Sequence, residues 1–174
     1  SPHCISSAAS DVYKRQVDKN AGTPIAAVIA VLVRDDEILL VSRKNPPDVG
    51  LWGFPGGKMD FGESMEAAAV RELYEETGVR AQALQVLTAL NAYGKDDAGR
   101  LLQHFVLLAV LCEWQSGEPV AADDAEDAGW FRLQDLQDGA LELSEDVLAV
   151  AQLALRTIPV SYTHLRAHET GRNL

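Results

Sequence analysis

Cysteine and histidine are scarce in this chain of 174 residues. Of two cysteines, only Cys112 falls inside the stretch that reads as a folded domain, on an apolar strand. A disulfide framework is therefore excluded, and a reducing cytoplasm is the expected location. Three of the four histidines (His3, His164 and His168) lie near the two ends. That argues against a histidine metal centre, and His104, with no partner visible in the sequence, reads as a structural residue. No apolar run approaches the length that spans a bilayer, so no membrane partner is expected. Positive charge is also short: 15 Lys and Arg against 26 Asp and Glu leave a formal net charge of −11. That balance opposes binding to a nucleic-acid backbone and suits a protein that holds cations.

What is present is enough for one well-filled core. Hydrophobic residues make up 47% of the chain, which at this length predicts a single domain. Residues 1–16 and 160–174 lack periodicity, differ in composition from what they flank, and resemble translated adapter sequence. They are expected to be non-native flanks around a single domain at 17–159. A secretory leader is not expected at the N-terminus, because no apolar segment follows its basic residues. No internal repeat is present.

Ile25 to Val33 is a continuous apolar, β-branched run and predicts a strand buried on both faces. Asp35-Asp36 turns the chain, and Glu37 to Ser42 returns as the second strand of a hairpin. The 45–50 loop, stiffened by Pro46 and Pro47, leads to Leu51-Trp52-Gly53-Phe54-Pro55-Gly56-Gly57, where Trp52 and Phe54 are expected to pack together. Ala83 to Leu90 reads as a strand and Tyr93 to Gly99 as a polar connection. Leu101 to Trp114 favours a strand by its β-branched and aromatic centre, with helix as the alternative. Ala121 to Asp127 reads as an acidic loop and Gly129-Trp130-Phe131 as a short strand. Ser144 is expected to cap a last helix whose buried stripe is Val147, Leu148, Ala151 and Leu155.

The stretch from 57 to 79 dominates the rest. Ser64 can cap a helix, Met65, Ala68, Ala69 and Leu73 recur at helical spacing, and Gly78 stops the helix where a left-handed backbone is needed. Its last turn carries Glu72, Glu75 and Glu76 at i, i+3 and i+4, on one face and at the negative end of the helix dipole. Each effect opposes folding by about a few tenths of a kcal/mol. Arg71, paired with Glu75 or Glu63, relieves part of this, and a divalent cation would relieve the rest. Hard carboxylate oxygens are what Mg²⁺ or Mn²⁺ takes. The bland alternative is a solvated acidic helix face.

The stretch fits G-x5-E-x7-R-E-U-x-E-E-x-G-U (U bulky and apolar) at every fixed position, from Gly57 through Glu63, Arg71, Glu72, Glu75 and Glu76 to Gly78 and Val79. A chance match is on the order of 10⁻⁷ from average residue usage. This is the Nudix box, and the chain resembles Nudix hydrolases over about residues 24–157. The resemblance implies an α+β fold, the Nudix α/β/α sandwich with a mixed sheet between helices. It implies that Glu72, Glu75, Glu76 and the backbone near Gly57 hold Mg²⁺, with Mn²⁺ able to substitute. Glu72 or a loop carboxylate, best matched by Asp123 or Asp124 with Glu126 third, would act as base. Arg71 would orient the carboxylates, and Glu63 would support Arg71.

The implied reaction is hydrolysis of the phosphoanhydride of a nucleoside diphosphate linked to another moiety. Layout is most similar to small bacterial ADP-ribose-pyrophosphatase-like members, implying ADP-ribose to AMP and ribose 5-phosphate, with Arg43, Trp52 and Tyr93 as substrate contacts. For Trp52, stacking on a base competes with a core role, which is the favoured reading. Gly94 stands where some ADP-ribose enzymes carry a proline, while Tyr93 resembles dinucleoside-polyphosphate hydrolases. The signature of NADH-cleaving members is missing, and Asp48 interrupts that of coenzyme A members. A nucleoside-triphosphate pyrophosphohydrolase is the alternative within the family, and a non-catalytic nucleotide-sugar sensor outside catalysis. Members of this size often form homodimers.

Overall fold

The computed structural model describes residues 22–44, 49–123 and 125–158. The flanks proposed at 1–16 and 160–174, Asp48 and Asp124 lie outside the described residues.

Strands β1 (Ile25–Arg34) and β2 (Glu37–Arg43) form the expected hairpin, turned at Asp35, whose φ of 57° is left-handed. They pair only near the turn, through Val33↔Ile38 and Arg34↔Glu37, and then separate. Into the gap come β3 (Trp52–Gly53) against β2 and β4 (Gly56–Lys58) against Ala27–Ile29 of β1. Helix α1 (Met65–Thr77) follows, then two 16-residue strands, β5 (Arg80–Lys95) and β6 (Leu101–Ser116). β7 (Ala125–Arg132), a five-residue helix α2 (Leu133–Gln137) and helix α3 (Val147–Thr157) complete the described chain. The sheet runs β3-β2-β1-β6-β5, with β4 also on β1 and β7 also on β2. β1 and β6 are parallel and the other pairs antiparallel, so the sheet is mixed.

Alternate residues of β1 feed two core layers, as the period of a strand requires. Val28, Ala30 and Leu32 pack with Ala68, Ala69 and Leu73 of α1. Ile29, Val31 and Val33 pack with Val147, Val150, Ala151 and Ala154 of α3. Both faces of β1 are therefore dry, which explains its uninterrupted apolar run. The sheet lies between helices, as expected for a Nudix sandwich.

Four local expectations are corrected. Tyr93, Gly94 and Lys95 belong to β5, because each finds a ladder partner on β6; the turn is shorter and centred on Asp96. The Asp96 carboxylate accepts from the backbone N–H groups of Ala98 and Arg100 at 3.0 and 2.8 Å. The acidic loop ends at Ala125, since Ala125 to Asp127 pair with β2. Ser144 does not cap α3. The cap is Asp146, at a φ of 64° and with no side-chain bond, while the Ser144 hydroxyl is buried with no hydrogen-bond partner. A left-handed residue resets the chain direction there, so the hydroxyl faces the core rather than the helix end. The stripe of α3 is correspondingly Val147, Val150, Ala151 and Ala154, with Leu148 and Leu155 packed at its margin. For Leu101 to Trp114, strand prevails over helix because the segment is paired on both sides.

Candidate active site

Helix α1 forms as its sequence dictates. The Ser64 hydroxyl accepts from the Ala67 N–H at 3.2 Å, and Gly78 closes the helix at a φ of 68° with its N–H on the Tyr74 carbonyl. Ala68, Ala69 and Leu73 anchor one side against β1. This sets Glu72, one turn on from Ala68 and Ala69 on the same face, against Gly57 of β4, with Arg71 and Glu75 beside it towards solvent.

Arg71 is the hub. It forks onto Glu63, with Nε to Oε1 and Nη2 to Oε2 both at 2.8 Å, and Nη2 also donates to the Lys58 carbonyl at 3.1 Å. Its Nη1 donates to Glu72 Oε1 at 2.8 Å and to Glu75 Oε2 at 3.1 Å. A planar guanidinium with five donors suits this task, and a lysine could not span all three carboxylates. The Arg71 guanidinium, with help from the Asp60 N–H, holds the Glu63 carboxyl down to about 2 from 4.5. Glu63 and Glu72 in turn hold the Arg71 pKa further up than an arginine's ordinary value.

Gly57 faces Glu72 directly. A Cβ built on Gly57 would stand 2.5–2.6 Å from the Glu72 carboxylate, so only glycine leaves room for that side chain against β4. At Gly56 the hypothetical Cβ would collide with the Val28 carbonyl oxygen and Ile29 Cα. The two glycines thus do different things: Gly56 lets β4 lie on β1, and Gly57 admits the carboxylate.

Glu76 is turned inward and buried, whereas Glu75 is exposed. The last helical carbonyls are met from the 120–122 segment: the Val120 N–H donates to the Thr77 carbonyl at 3.0 Å and the Ala122 N–H to that of Glu76 at 2.9 Å. Buried Thr77 adds its hydroxyl to the Leu73 carbonyl at 2.6 Å. These contacts satisfy the helix end and bring the acidic loop to it, with Asp123 following at a left-handed φ of 52°. Sequence reasoning missed Thr77, the Lys58 carbonyl and the 120–122 backbone; backbone donors and acceptors leave no residue-type signal.

The other expected contacts are scattered. Arg43 is exposed at the end of β2, paired with Ala125 beside the acidic loop. Tyr93 is exposed on β5, its ring 4.8 Å from that of His104. Trp52 takes the packing role favoured for it over stacking on a base, and is partly buried. It packs edge-on to Phe131 at 4.8 Å within the α3 layer, on the opposite face of the sheet from α1. Phe54 is buried in the same layer.

The donors gathered here are hard oxygens, matching Mg²⁺ or Mn²⁺ in kind. Among the described residues no three His, Cys, Asp or Glu side chains converge as a preformed cage; the carboxylates of Glu72 and Glu75 are instead turned onto Arg71. Carboxylate oxygens of this kind suit a cation that completes its shell with water and substrate phosphate.

Comparison with known proteins agrees with this geometry. The NUDIX domain model matches residues 23–150. A curated ADP-ribose pyrophosphatase of Methanocaldococcus jannaschii is 36% identical over 65% of this chain and 64% of its own, so the chain spans less than two thirds of that relative. The crystal structure of a MutT NUDIX hydrolase from Burkholderia pseudomallei superposes with a TM-score of 0.64 at 34% identity, covering 75% of this chain and 98% of that one. A bifunctional NMN adenylyltransferase/ADP ribose pyrophosphatase of Francisella tularensis, solved with AMP and a manganese ion, gives a TM-score of 0.60 at 25% identity over 84% of this chain and 45% of that one. Family model and structural relatives meet on one stretch of fold, the stretch that carries the intact box, and the chain belongs to the Nudix hydrolase family.

Proposed function

We propose that this chain hydrolyses the phosphoanhydride bond of a nucleoside diphosphate linked to another moiety, with ADP-ribose cleaved to AMP and ribose 5-phosphate as the leading substrate. The observation that carries the reading is the Arg71 hub, which binds Glu63, Glu72 and Glu75 together, with Glu72 lying against Gly57. A sensor would need no such arrangement of carboxylates. The names of the archaeal and Francisella relatives support ADP-ribose as the substrate.

Glu72, Glu75, Glu76 and the Gly57 backbone would hold Mg²⁺, or Mn²⁺ in its place. When bound, the ion neutralises the diphosphate and lowers the pKa of a coordinated water. Glu72, which lies against β4 and accepts from Arg71, would take a proton from the attacking water; Asp123, next in chain to Ala122, whose N–H meets the end of α1, would be the alternative base. The water oxygen bonds to one phosphorus, and the bridging P–O bond breaks with its electron pair leaving on the other phosphate. Arg71 keeps the carboxylates apart and oriented, and Glu63 keeps Arg71 in place.

The test is hydrolysis of a panel (ADP-ribose, NADH, diadenosine polyphosphates, ordinary and oxidised nucleoside triphosphates) with Mg²⁺ or Mn²⁺, products being resolved by chromatography. AMP from ADP-ribose, abolished by chelator, is the expected result. Pyrophosphate from triphosphates would move the protein to the pool-cleaning branch. No turnover together with metal-independent ligand binding would refute catalysis.

A further inference from the structure

Beyond Leu32 the α1 face of the sheet ends in a positive charge. Arg34 is the last residue of β1 and, by alternation, follows Val28, Ala30 and Leu32 onto the side that α1 covers. Its guanidinium carbon lies 4.0 Å from the ring centre of Trp130 on β7 and 5.4 Å from that of Trp114 on β6. Both indoles also pack at the margin of the α1 layer. A flat, weakly hydrated cation suits such stacking, and a lysine ammonium does not reproduce it.

The three side chains converge on the chain that leaves β6. Arg34 Nη1 donates to Glu118 Oε1 at 2.6 Å, and the Trp130 indole N–H donates to Glu118 Oε2 at 3.2 Å. The Trp114 indole N–H donates to the Gly117 carbonyl at 2.9 Å. Both oxygens of one carboxylate and the adjacent carbonyl are thus held from three strands. Glu37, 3.7 Å from Arg34 Nη2, is beyond hydrogen-bond reach, so the short contact selects Glu118. A pair whose carboxylate side chain is 69% exposed contributes little to global stability. Its effect falls instead on where this stretch of chain is placed.

Residues 117 and 118 begin the segment that closes α1. Gly117 passes the helix end closely: at its φ of 96°, a Cβ would stand 3.3 Å from the Gly78 carbonyl oxygen. The Val120 and Ala122 N–H groups then meet the Thr77 and Glu76 carbonyls, and Asp123 follows. Apolar packing holds this segment lightly, since Ala121 lies at the margin of the α1 layer and Val120 is 70% exposed. The clamp itself is far from the reacting groups. Gly57 pairs with Val28, six residues from Arg34 along β1, or about 20 Å. Any influence on the reaction therefore passes through the chain.

We propose that Arg34 and Glu118 are positioning residues for Asp123, fastening the 117–122 segment so that this carboxylate is held at the end of α1; the proposal rests on the function argued above, in which Asp123 is the alternative base. The test has two arms. In steady-state kinetics on ADP-ribose, Arg34→Met, which keeps the apolar stem against the indoles, and Glu118→Ala should each lower kcat about 10-fold with KM within about 2-fold of wild type. On the Asp123→Asn background, itself slow, the same changes should lower kcat no further. A merely structural clamp would act equally on both backgrounds. Wild-type kcat in both clamp variants or in Asp123→Asn, or an equal loss on both backgrounds, overturns the proposal. The second arm needs no turnover. In amide hydrogen exchange followed by ¹⁵N NMR, Val120 and Ala122 should exchange about 10-fold faster in Glu118→Ala while the β1–β6 ladder keeps its rates. Unchanged exchange at those two amides overturns the clamp whatever the kinetics. If wild type cleaves no nucleoside diphosphate derivative, the function argued above falls and exchange decides alone: faster exchange confined to the segment sustains the clamp, and unchanged exchange overturns it.

Discussion

Replacing each of the adjacent glycines of β4 by alanine separates fold from chemistry. At Gly57 the added methyl would stand 2.5 Å from the Glu72 carboxylate, where ordinary contact begins at 3.4 Å. The obstacle is the tip of a flexible side chain, so the carboxylate moves by about 0.9 Å and the backbone stays. A displacement near 1 Å of a catalytic group costs about 10²-fold in rate. Stability should change by less than about 1 kcal/mol, because alanine lowers the entropy of the unfolded chain while the Arg71–Glu72 bond is disturbed. At Gly56 the methyl meets the Val28 carbonyl and Ile29 Cα, which are backbone atoms in the centre of the sheet. Relief there requires parting β4 from β1, and a loss of about 3 kcal/mol or more is expected. Urea unfolding and kcat/KM on ADP-ribose with Mg²⁺ read the two effects. Gly57→Ala should be folded and slow, Gly56→Ala unstable. Wild-type turnover in Gly57→Ala would refute the claim that Glu72 must occupy the space beside β4.

Three further outcomes are expected. Glu76→Gln should lower turnover by about 10²-fold or more while keeping a cooperative unfolding transition, as for loss of a contact to the cation; near-normal activity would remove Glu76 from the mechanism. The Glu63 carboxyl titrates at about 2 in the folded chain and near 4.5 when unfolded, so the unfolded state binds more protons between these values. Its contribution to stability is therefore complete above about pH 4.5 and is lost as pH falls towards 2; denaturant titrations across that window should show a shallower acid limb in Glu63→Gln than in wild type. Ser144→Ala removes a buried hydroxyl with no partner and should raise stability by about 1 kcal/mol, measured as a higher urea midpoint at unchanged slope.

The sequence by itself determined what local chemistry decides. Helix α1 begins at Ser64 and ends at Gly78 because a hydroxyl cap and a left-handed glycine act within one turn, and the β1 run is apolar at every position because both faces are covered. The box residues could be named because their spacing on one helix is itself the geometry of the site. Only the tertiary structure decided what depends on partners distant in the chain. Tyr93 to Lys95 became strand because β6 supplied a ladder, and Trp52 went to the α3 layer because Phe131, far along the chain, lies there. Arg71 could be seen to have acidic neighbours, but its simultaneous hold on Glu63, Glu72, Glu75 and the Lys58 carbonyl needs the β4 turn folded against the helix. His104 looked isolated in the sequence and gained Asn91 and Tyr93 only when β5 paired with β6. Backbone conformation and cross-strand register arise from the packing of whole elements, and no short stretch of sequence contains that information.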